Sequence, residues 1–510
     1  MPRLVAALLS GSLAASRVIA LLFASLAADA QDAAGTAAQL ATVSANQSAR
    51  IGSTKVNYRI TWSSLILDDD SGTPAATISA TSYVRTGVAN SAGRPVLFAF
   101  NGGPGASSTP LHFNLLGPRR RVDEQPGQQL KPHPWVDNAE SLLDVVDLVL
   151  IDPVGTGFSR ELSAGSGRRF WNVAADGEAT LKFIRSWLSR HARTGSPVFV
   201  AGESYGGTRV AQMAQDMGDL NVAGLILISP ALDYGAGMGV GNDQPYIFDL
   251  PTMAVTALVH GRIDARGRTV EQVWNDVRGF AQTEYAAALQ QGSALSADER
   301  GKLSHQIAAM IGLAPELVET ANLRVDSQLF LESLVPGQIV GRIDTRVAAP
   351  KPAKRSDPSR PPAADDPALG MLGTNIKKSE FARNYLKDQA GLATNLDYYA
   401  LRLDLALGWD WFGSVPKNMG REDILPFRVY YNLTPNIAAL MNKRPAAKVL
   451  LIGGYFDLAT PLLGPRYALT HSGVPMERVT MLALSSGHTP FGEDQNRKSV
   501  SAALHRFVGQ

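Results

Sequence analysis

VFVAGESYGGTRVAQMAQ, residues 198–215, sets a short run of apolar residues directly against a helical pattern, with a serine between glycines at the junction. The run is the length of a buried strand, and the pattern after it continues as a helix. Between them Gly202-x-Ser204-x-Gly206 matches the sharp strand-to-helix turn that exposes a nucleophile. In a chain with 47 glycines the triplet alone is weak; its place between strand and helix is what gives it weight. The helix N-terminus behind Ser204 also favours negative charge developing there. A strand-to-helix turn with a merely capping serine is the competing interpretation.

Working outward, five more segments read as buried strands: VLFAF (96–100), VDLVLID (146–152), GLILISP (224–230), KVLLIGG (448–454) and VTMLAL (479–484). Helical patterns such as 175–192 lie between them, and this alternation predicts a mostly parallel sheet flanked by helices on both faces. Residues 56–85 hold two β-rich stretches joined by DDDSGTP, an N-terminal antiparallel hairpin. Asp68, Asp69 and Asp70 as a calcium site lack the spacing that would complete one. The alternation stops after Pro230 and resumes near Lys448. The organisation expected is therefore a signal peptide at 1–30, a flexible leader at 31–50, and a catalytic α/β domain from 51–230 and 426–510. Residues 231–425 are expected to form a largely helical cap inserted into that domain, with a flexible Pro- and Lys-rich loop at 347–366.

Composition sets the outer bounds. The 510 residues are 45% hydrophobic and 18% charged, with formal net charge +2, ordinary for a globular protein and without the basic excess that would suggest nucleic acid. The absence of cysteine excludes disulfides and thiolate chemistry. Arg3 and Arg17, the apolar run Val18–Leu26 and Ala28-Asp29-Ala30 form a signal-peptide layout, which implies export to the periplasm or medium. That run is far short of the roughly 20 apolar residues of a membrane span, and no later segment supplies one, so no span is expected after cleavage. Nothing in the sequence specifies an oligomeric state.

A serine needs a neighbouring base to act as a nucleophile. Of eight histidines, His488 lies in a loop just after the last strand, and Asp457 lies just past the strand before it. The order Ser204, Asp457, His488 is that of α/β-hydrolases. Oxyanion stabilisation calls for the Tyr205 N–H and for a donor from an early loop. Asn101-Gly102-Gly103-Pro104-Gly105 stands in that place, with glycines that let backbone approach a substrate.

With these parts placed, the chain resembles the serine carboxypeptidase family. The motifs are FNGGPGASS (100–108), IDPVGTGFS (151–159), GESYGG (202–207), GGYFDLATP (453–461) and SSGHTPF (485–491), in the family's order. The resemblance implies an α/β-hydrolase fold, Ser204 as nucleophile, His488 as general base and Asp457 as its orienting carboxylate. It also implies an oxyanion hole from Gly103 and Tyr205, and substrate binding by Asn101, Gly102 and Glu203, with Asn101 and Glu203 holding a C-terminal carboxylate. Three departures stand out: Leu115 replaces the second glutamate that partners the first, Ala99 replaces an aromatic before the loop, and Ala106 replaces a cysteine. Without that second carboxyl no proton-sharing pair forms from these positions, so a weaker preference for a free carboxylate and a less pronounced acid optimum are expected. The expected function is release of C-terminal amino acids from peptides through an acyl-enzyme, with no metal or organic cofactor. The alternatives are an esterase, amidase or acyltransferase on small acyl substrates, and a non-catalytic binding protein on the same scaffold.

Overall fold

Successive residues of neighbouring strands part cleanly to opposite sides of one sheet. Phe98, Phe100, Val149, Ile151, Val198 and Val200 enter one apolar cluster. Leu97, Ala99, Leu148, Leu150, Phe199 and Ala201 enter another. The period of two along each strand explains the division, and burial on both faces explains why these segments are apolar throughout. Each fully buried aliphatic side chain contributes about 1.5–3 kcal/mol.

In the computed structural model, residues 41–122, 134–235, 241–351, 362–371, 374–411 and 432–509 are described. Among these, the large sheet has nine strands: β1 (Val43–Ile51), β2 (Thr54–Asp68), β3 (Pro74–Arg85), β4 (Val96–Phe100), β5 (Asp147–Asp152), β6 (Val198–Glu203), β7 (Val222–Ile228), β8 (Lys448–Gly454) and β9 (Val479–Leu484). Their spatial order is β1-β2-β3-β5-β4-β6-β7-β8-β9. The first three strands and the β3–β5 pair are antiparallel, and the rest are parallel. This is the sheet of an α/β-hydrolase, and all six strands read from the sequence are in it. The Asp69 turn is also as expected: its Oδ1 accepts from Ser71 N and Thr73 N at 2.9 and 3.0 Å and joins β2 to β3.

Helix α1 (Val173–Arg190) begins where the Asn172 side chain accepts from Ala175 N, and its Ile184, Trp187 and Leu188 pack on the first face. Helix α2 (Tyr205–Ala214) lies beside it. A separate helical group, α3 (Gln244–Val259), α4 (Val270–Phe280) and α5 (Ala297–Ile311), forms its own apolar cluster and joins the sheet through Tyr455, Phe456 and Leu458. Capping boxes at Thr269/Gln272 and Ser296/Glu299 start α4 and α5.

Four expectations need correction or limits. The leader does not run to residue 50, because Val43–Ile51 pairs along its whole length with β2 and buries Ala49 and Ile51. The segment 231–425 is not one cap. Helix α6 (Glu380–Ala390) covers the second face of the main sheet, where Ala382, Tyr385 and Leu386 are buried and the Tyr83 and Tyr385 hydroxyls meet at 3.0 Å. Within 347–366, Ala348–Pro350 is a strand paired with Gln338–Val340, and residues 352–361 lie outside the described residues. The signal peptide at 1–30 lies outside them too.

Candidate active site

Ser204 ends β6 and precedes α2 with φ 61° and ψ −127°, a region that costs a side-chain-bearing residue about 1–3 kcal/mol. Its surroundings enforce the turn. Ser204 N donates to Ile228 O at 2.9 Å, and its carbonyl accepts from Gly207 N and Ala231 N at 2.8 and 3.0 Å. A Cβ at Gly202 would collide with the Gly206 carbonyl, so this tight turn admits glycine there. The serine side chain makes no capping hydrogen bond, so it does not serve as a helix cap here. Ser204 is half-buried between buried neighbours.

Asp457 and His488 follow β8 and β9, and His488 Nδ1 lies 2.7 Å from Asp457 Oδ2. Asp457 is wholly buried; its Oδ1 accepts from Ala459 N and Thr460 N at 2.9 and 3.0 Å. Thr460 Oγ1 lies 2.7 Å from Asp457 Oδ2 and 2.9 Å from Ser229 O, so its one proton serves two acceptors. Burial pushes the Asp457 carboxyl up, but the His488 charge and these hydrogen bonds outweigh it and hold the group below the usual range. Burial likewise pushes His488 down, and Asp457 reverses this, leaving the imidazole above its ordinary value. Ser204 Oγ and His488 share no hydrogen bond among the described residues, as is common in unliganded sites.

The loops are tied one residue along. Thr489 Oγ1 donates to Glu203 Oε1 at 3.0 Å, which links the histidine loop to the serine turn. Glu203 Oε2 accepts from Asn101 Nδ2, and Asn101 Oδ1 accepts from Leu111 N at 3.3 Å. Burial pushes the Glu203 carboxyl up to about 7, against the His488 charge and the Thr489 and Asn101 hydrogen bonds. Gly102 lies on the start of α2: a Cβ there would come within 2.6 Å of Gly206 N and closer to Tyr205 N. Gly103 follows at φ 96°, so the Gly103 loop and Tyr205 are neighbours at the helix N-terminus. Leu115 and Ala99 are both buried in the apolar core behind this loop.

Sequence reasoning missed several supporting residues. Arg209 pairs with Asp176 and donates from Nη1 to the Asn101 carbonyl at 2.8 Å. Asp152 accepts from Ser108 N and Ser108 Oγ, both at 2.8 Å, and from Tyr398 OH, also at 2.8 Å, fixing the end of the glycine loop. The segment Arg342–Thr345, from the supposed cap, runs between the Asp457 and His488 loops. Its Arg342 and Ile343 carbonyls accept from Leu458 N and His488 N at 3.0 and 2.6 Å. Thr460, three residues after Asp457, was the one signal in plain view.

Residues 83–263 match the family model described as serine carboxypeptidase. This span holds Asn101, Gly102, Gly103, Glu203, Ser204 and Tyr205, while Asp457 and His488 lie beyond it. Over this span the chain is similar to the serine carboxypeptidase family. Serine carboxypeptidase-like 36 of Arabidopsis thaliana is 33% identical over 146 residues, 27% of this chain and 29% of the relative. Carboxypeptidase Y of Schizosaccharomyces pombe is 31% identical over 128 residues, 25% of this chain and 12% of that one. The matches thus span less than a third of these curated relatives. The solved structure of Kex1(delta)p, a prohormone-processing carboxypeptidase from Saccharomyces cerevisiae, matches 89% of this chain and 91% of its own. At TM-score 0.52 and 13% identity it shows that the two chains share a fold.

Proposed function

We propose that this protein is an exported serine-type carboxypeptidase that releases C-terminal amino acids from peptides. The observation that carries this is the buried Asn101–Glu203 pair, one residue from Ser204 and tied to the His488 loop by Thr489. A serine, histidine and aspartate on strand ends serve any acyl hydrolase; an amide and a protonatable carboxyl beside them suit a substrate carboxylate. Ser204 Oγ adds to the last peptide carbonyl while His488 takes its proton, and Asp457 stabilises the imidazolium. Gly103 and Tyr205 N–H groups receive the oxyanion. The C–N bond then breaks as His488 passes the proton to the leaving amine, and water cleaves the acyl-enzyme by the same route.

The test compares a blocked dipeptide with a free C-terminus, its C-terminal amide and an ester, with Ser204→Ala as the blank. A preference for the free acid of roughly tenfold or more is expected, the size of a charge-assisted hydrogen bond. Turnover must rise with pH as His488 loses its proton, and the free-acid KM must worsen as Glu203 ionises near 7, giving an optimum near neutrality. In Glu203→Gln the free-acid KM should lose its dependence above pH 7. The acidic limb should also move to lower pH, because Glu203's charge helps raise His488. Equal turnover of the ester or amide, with a profile that Glu203→Gln leaves unmoved, would replace the peptidase by a general acyl hydrolase. Leu115, sunk in the core where a second carboxyl would stand, is the feature favouring that outcome.

Export is supported by Val18–Leu26 and Ala28-Asp29-Ala30, and among the described residues no helix is long and apolar enough to cross a membrane. Protein recovered from outside the cytoplasm should begin at Gln31 on N-terminal sequencing. An intact Met1 or Pro2 start there would refute cleavage.

A further inference from the structure

The loops that carry Asp457 and His488 both lie against one strip of backbone, Arg342–Arg346. Phe456 and Leu458, on either side of Asp457, are bound to it: Thr345 N donates to Phe456 O at 2.9 Å, and Leu458 N donates to Arg342 O at 3.0 Å. His488 N donates to Ile343 O at 2.6 Å. The approach is close enough to restrict the residue before the histidine, since a Cβ at Gly487 would come within 2.6 Å of Ile343 O and of Asp344 Cβ. Arg346 ends the strip, gripping Asp344 through Nε and Nη2 at 2.9 and 2.7 Å and donating to Ser485 O at 3.2 Å. The strip thus bridges the two loops whose spacing sets the 2.7 Å contact between His488 Nδ1 and Asp457 Oδ2.

What holds the strip stands farther out. Half-buried Asp366 accepts at Oδ2 from Arg342 N and Ile343 N, at 2.8 and 3.2 Å, and at Oδ1 from Ala368 N at 2.8 Å. The turn closed by Ala368 aims the side chain at the strip, and Pro367 keeps Asp366 out of helical backbone. Bonds from N–H groups to a carboxylate are stronger than neutral ones, and along a chain of hydrogen bonds each polarises the next. Ile343 N–H and Arg342 C=O belong to one peptide unit, so the carboxylate on one side strengthens the bond to Leu458 N on the other. The far end is fixed separately: Thr345 is buried, and its hydroxyl and carbonyl meet Thr256 Oγ1 and His260 Nε2 at 2.6 and 2.7 Å. Asp366 itself shares no hydrogen bond with Ser204, Asp457 or His488 among the described residues. Its reach to them runs through backbone alone.

We propose that Asp366 is a positioning residue for general-base catalysis, setting the His488–Asp457 contact through the Arg342–Thr345 backbone. The inference rests on Ser204, His488 and Asp457 acting as an acyl-transfer site, whether peptidase or general acyl hydrolase, and one of its two readouts needs no turnover. The first readout is the rate at which a fluorophosphonate probe labels Ser204, a reaction of any activated serine. The second is the low-field NMR resonance of the His488 Nδ1 proton, assigned by its loss in His488→Gln. Asp366→Ala should slow labelling by roughly ten- to a hundredfold, the scale of a small misplacement at a reacting centre. The resonance should move upfield and broaden as the contact lengthens and exchange with water quickens. Asp366→Asn, which keeps the shape and one acceptor, should change both in the same sense by less, and serves where the alanine variant does not fold. Thr269→Ala, which breaks the capping box of α4, should lower the thermal midpoint and leave both readouts unmoved, separating positioning from stability. Either readout unchanged in the Asp366 variants overturns the proposal, as do equal changes in Thr269→Ala or a wild-type spectrum without the resonance. A wild-type serine that the probe does not label sinks the acyl-transfer reading instead, and the resonance alone then decides whether Asp366 sets the contact.

Discussion

Asp457→Asn is expected to lower kcat about 10⁴-fold, the scale known for loss of the orienting carboxylate in a serine–histidine–aspartate site. The reason lies in the hydrogen bonds around residue 457. The Ala459 and Thr460 N–H groups hold Oδ1, so an asparagine would keep its oxygen there and turn its NH2 toward His488. Nδ1, now 2.7 Å from a carboxylate, would face a donor and have to accept. The imidazole proton then sits on Nε2, the nitrogen that must take the serine proton, and general-base catalysis stops. Loss of the Asp457 charge also removes what raises His488 above its ordinary value, so any residual activity should have its acidic limb at lower pH. Packing at the site is preserved by the near-isosteric exchange. Steady-state kinetics beside a thermal melt checks this; a variant that keeps more than about a tenth of kcat would remove Asp457 from the mechanism.

Much of the sheet was legible because its strands are buried on both faces. VLFAF, VFVAGE and KVLLIGG are apolar at every position or nearly so, and no other element of that length explains them. The placement of Ser204, Asp457 and His488 was legible because each stands just beyond such a strand. Other parts were not. Val43–Ile51 carries Ser, Asn, Gln and Arg because it is an edge strand with one solvated face, and in sequence that pattern resembles a polar leader. Glu380–Ala390 has an amphipathic pattern that fits a cap as well as a main-sheet helix; its partners Tyr83 and β1 lie about 300 residues upstream. Arg342–Thr345 contributes carbonyls to the site, and backbone acceptors leave no side-chain signature. The Arg209–Asp176 pair was hidden for a related reason: each residue lies on a helix whose other residues explain its amphipathicity.

That pair carries the second large effect: Arg209→Met is expected to destabilise the fold by about 3–5 kcal/mol, because it strands a buried carboxylate. Arg209 and Asp176 side chains are 1% and 5% exposed, and Nε lies 2.7 Å from Oδ2. Burial already pushes Asp176 up, with Arg209 as the leading counterweight. The guanidinium also lies over the Phe100 and Tyr205 rings, 4.9 and 5.2 Å from their centroids, and grips the Asn101 carbonyl. Replacing both members, Arg209→Met with Asp176→Leu, should recover most of the stability, since buried ion pairs commonly exchange for apolar residues at little cost. Recovery of function should not follow. Without the Nη1 donor the Asn101 carbonyl is left unpaired and the glycine loop loses its anchor to α2, so the double variant should bind the free-acid dipeptide with a raised KM. Its kcat for an ester, which makes no use of Asn101, should fall much less. Chemical unfolding together with the KM and kcat of the two substrates separates the outcomes. A double variant restored in both stability and free-acid KM would make the pair a matter of folding alone. A split, with stability regained and KM still raised, makes Arg209 a positioning residue that holds the carboxylate-binding asparagine in place.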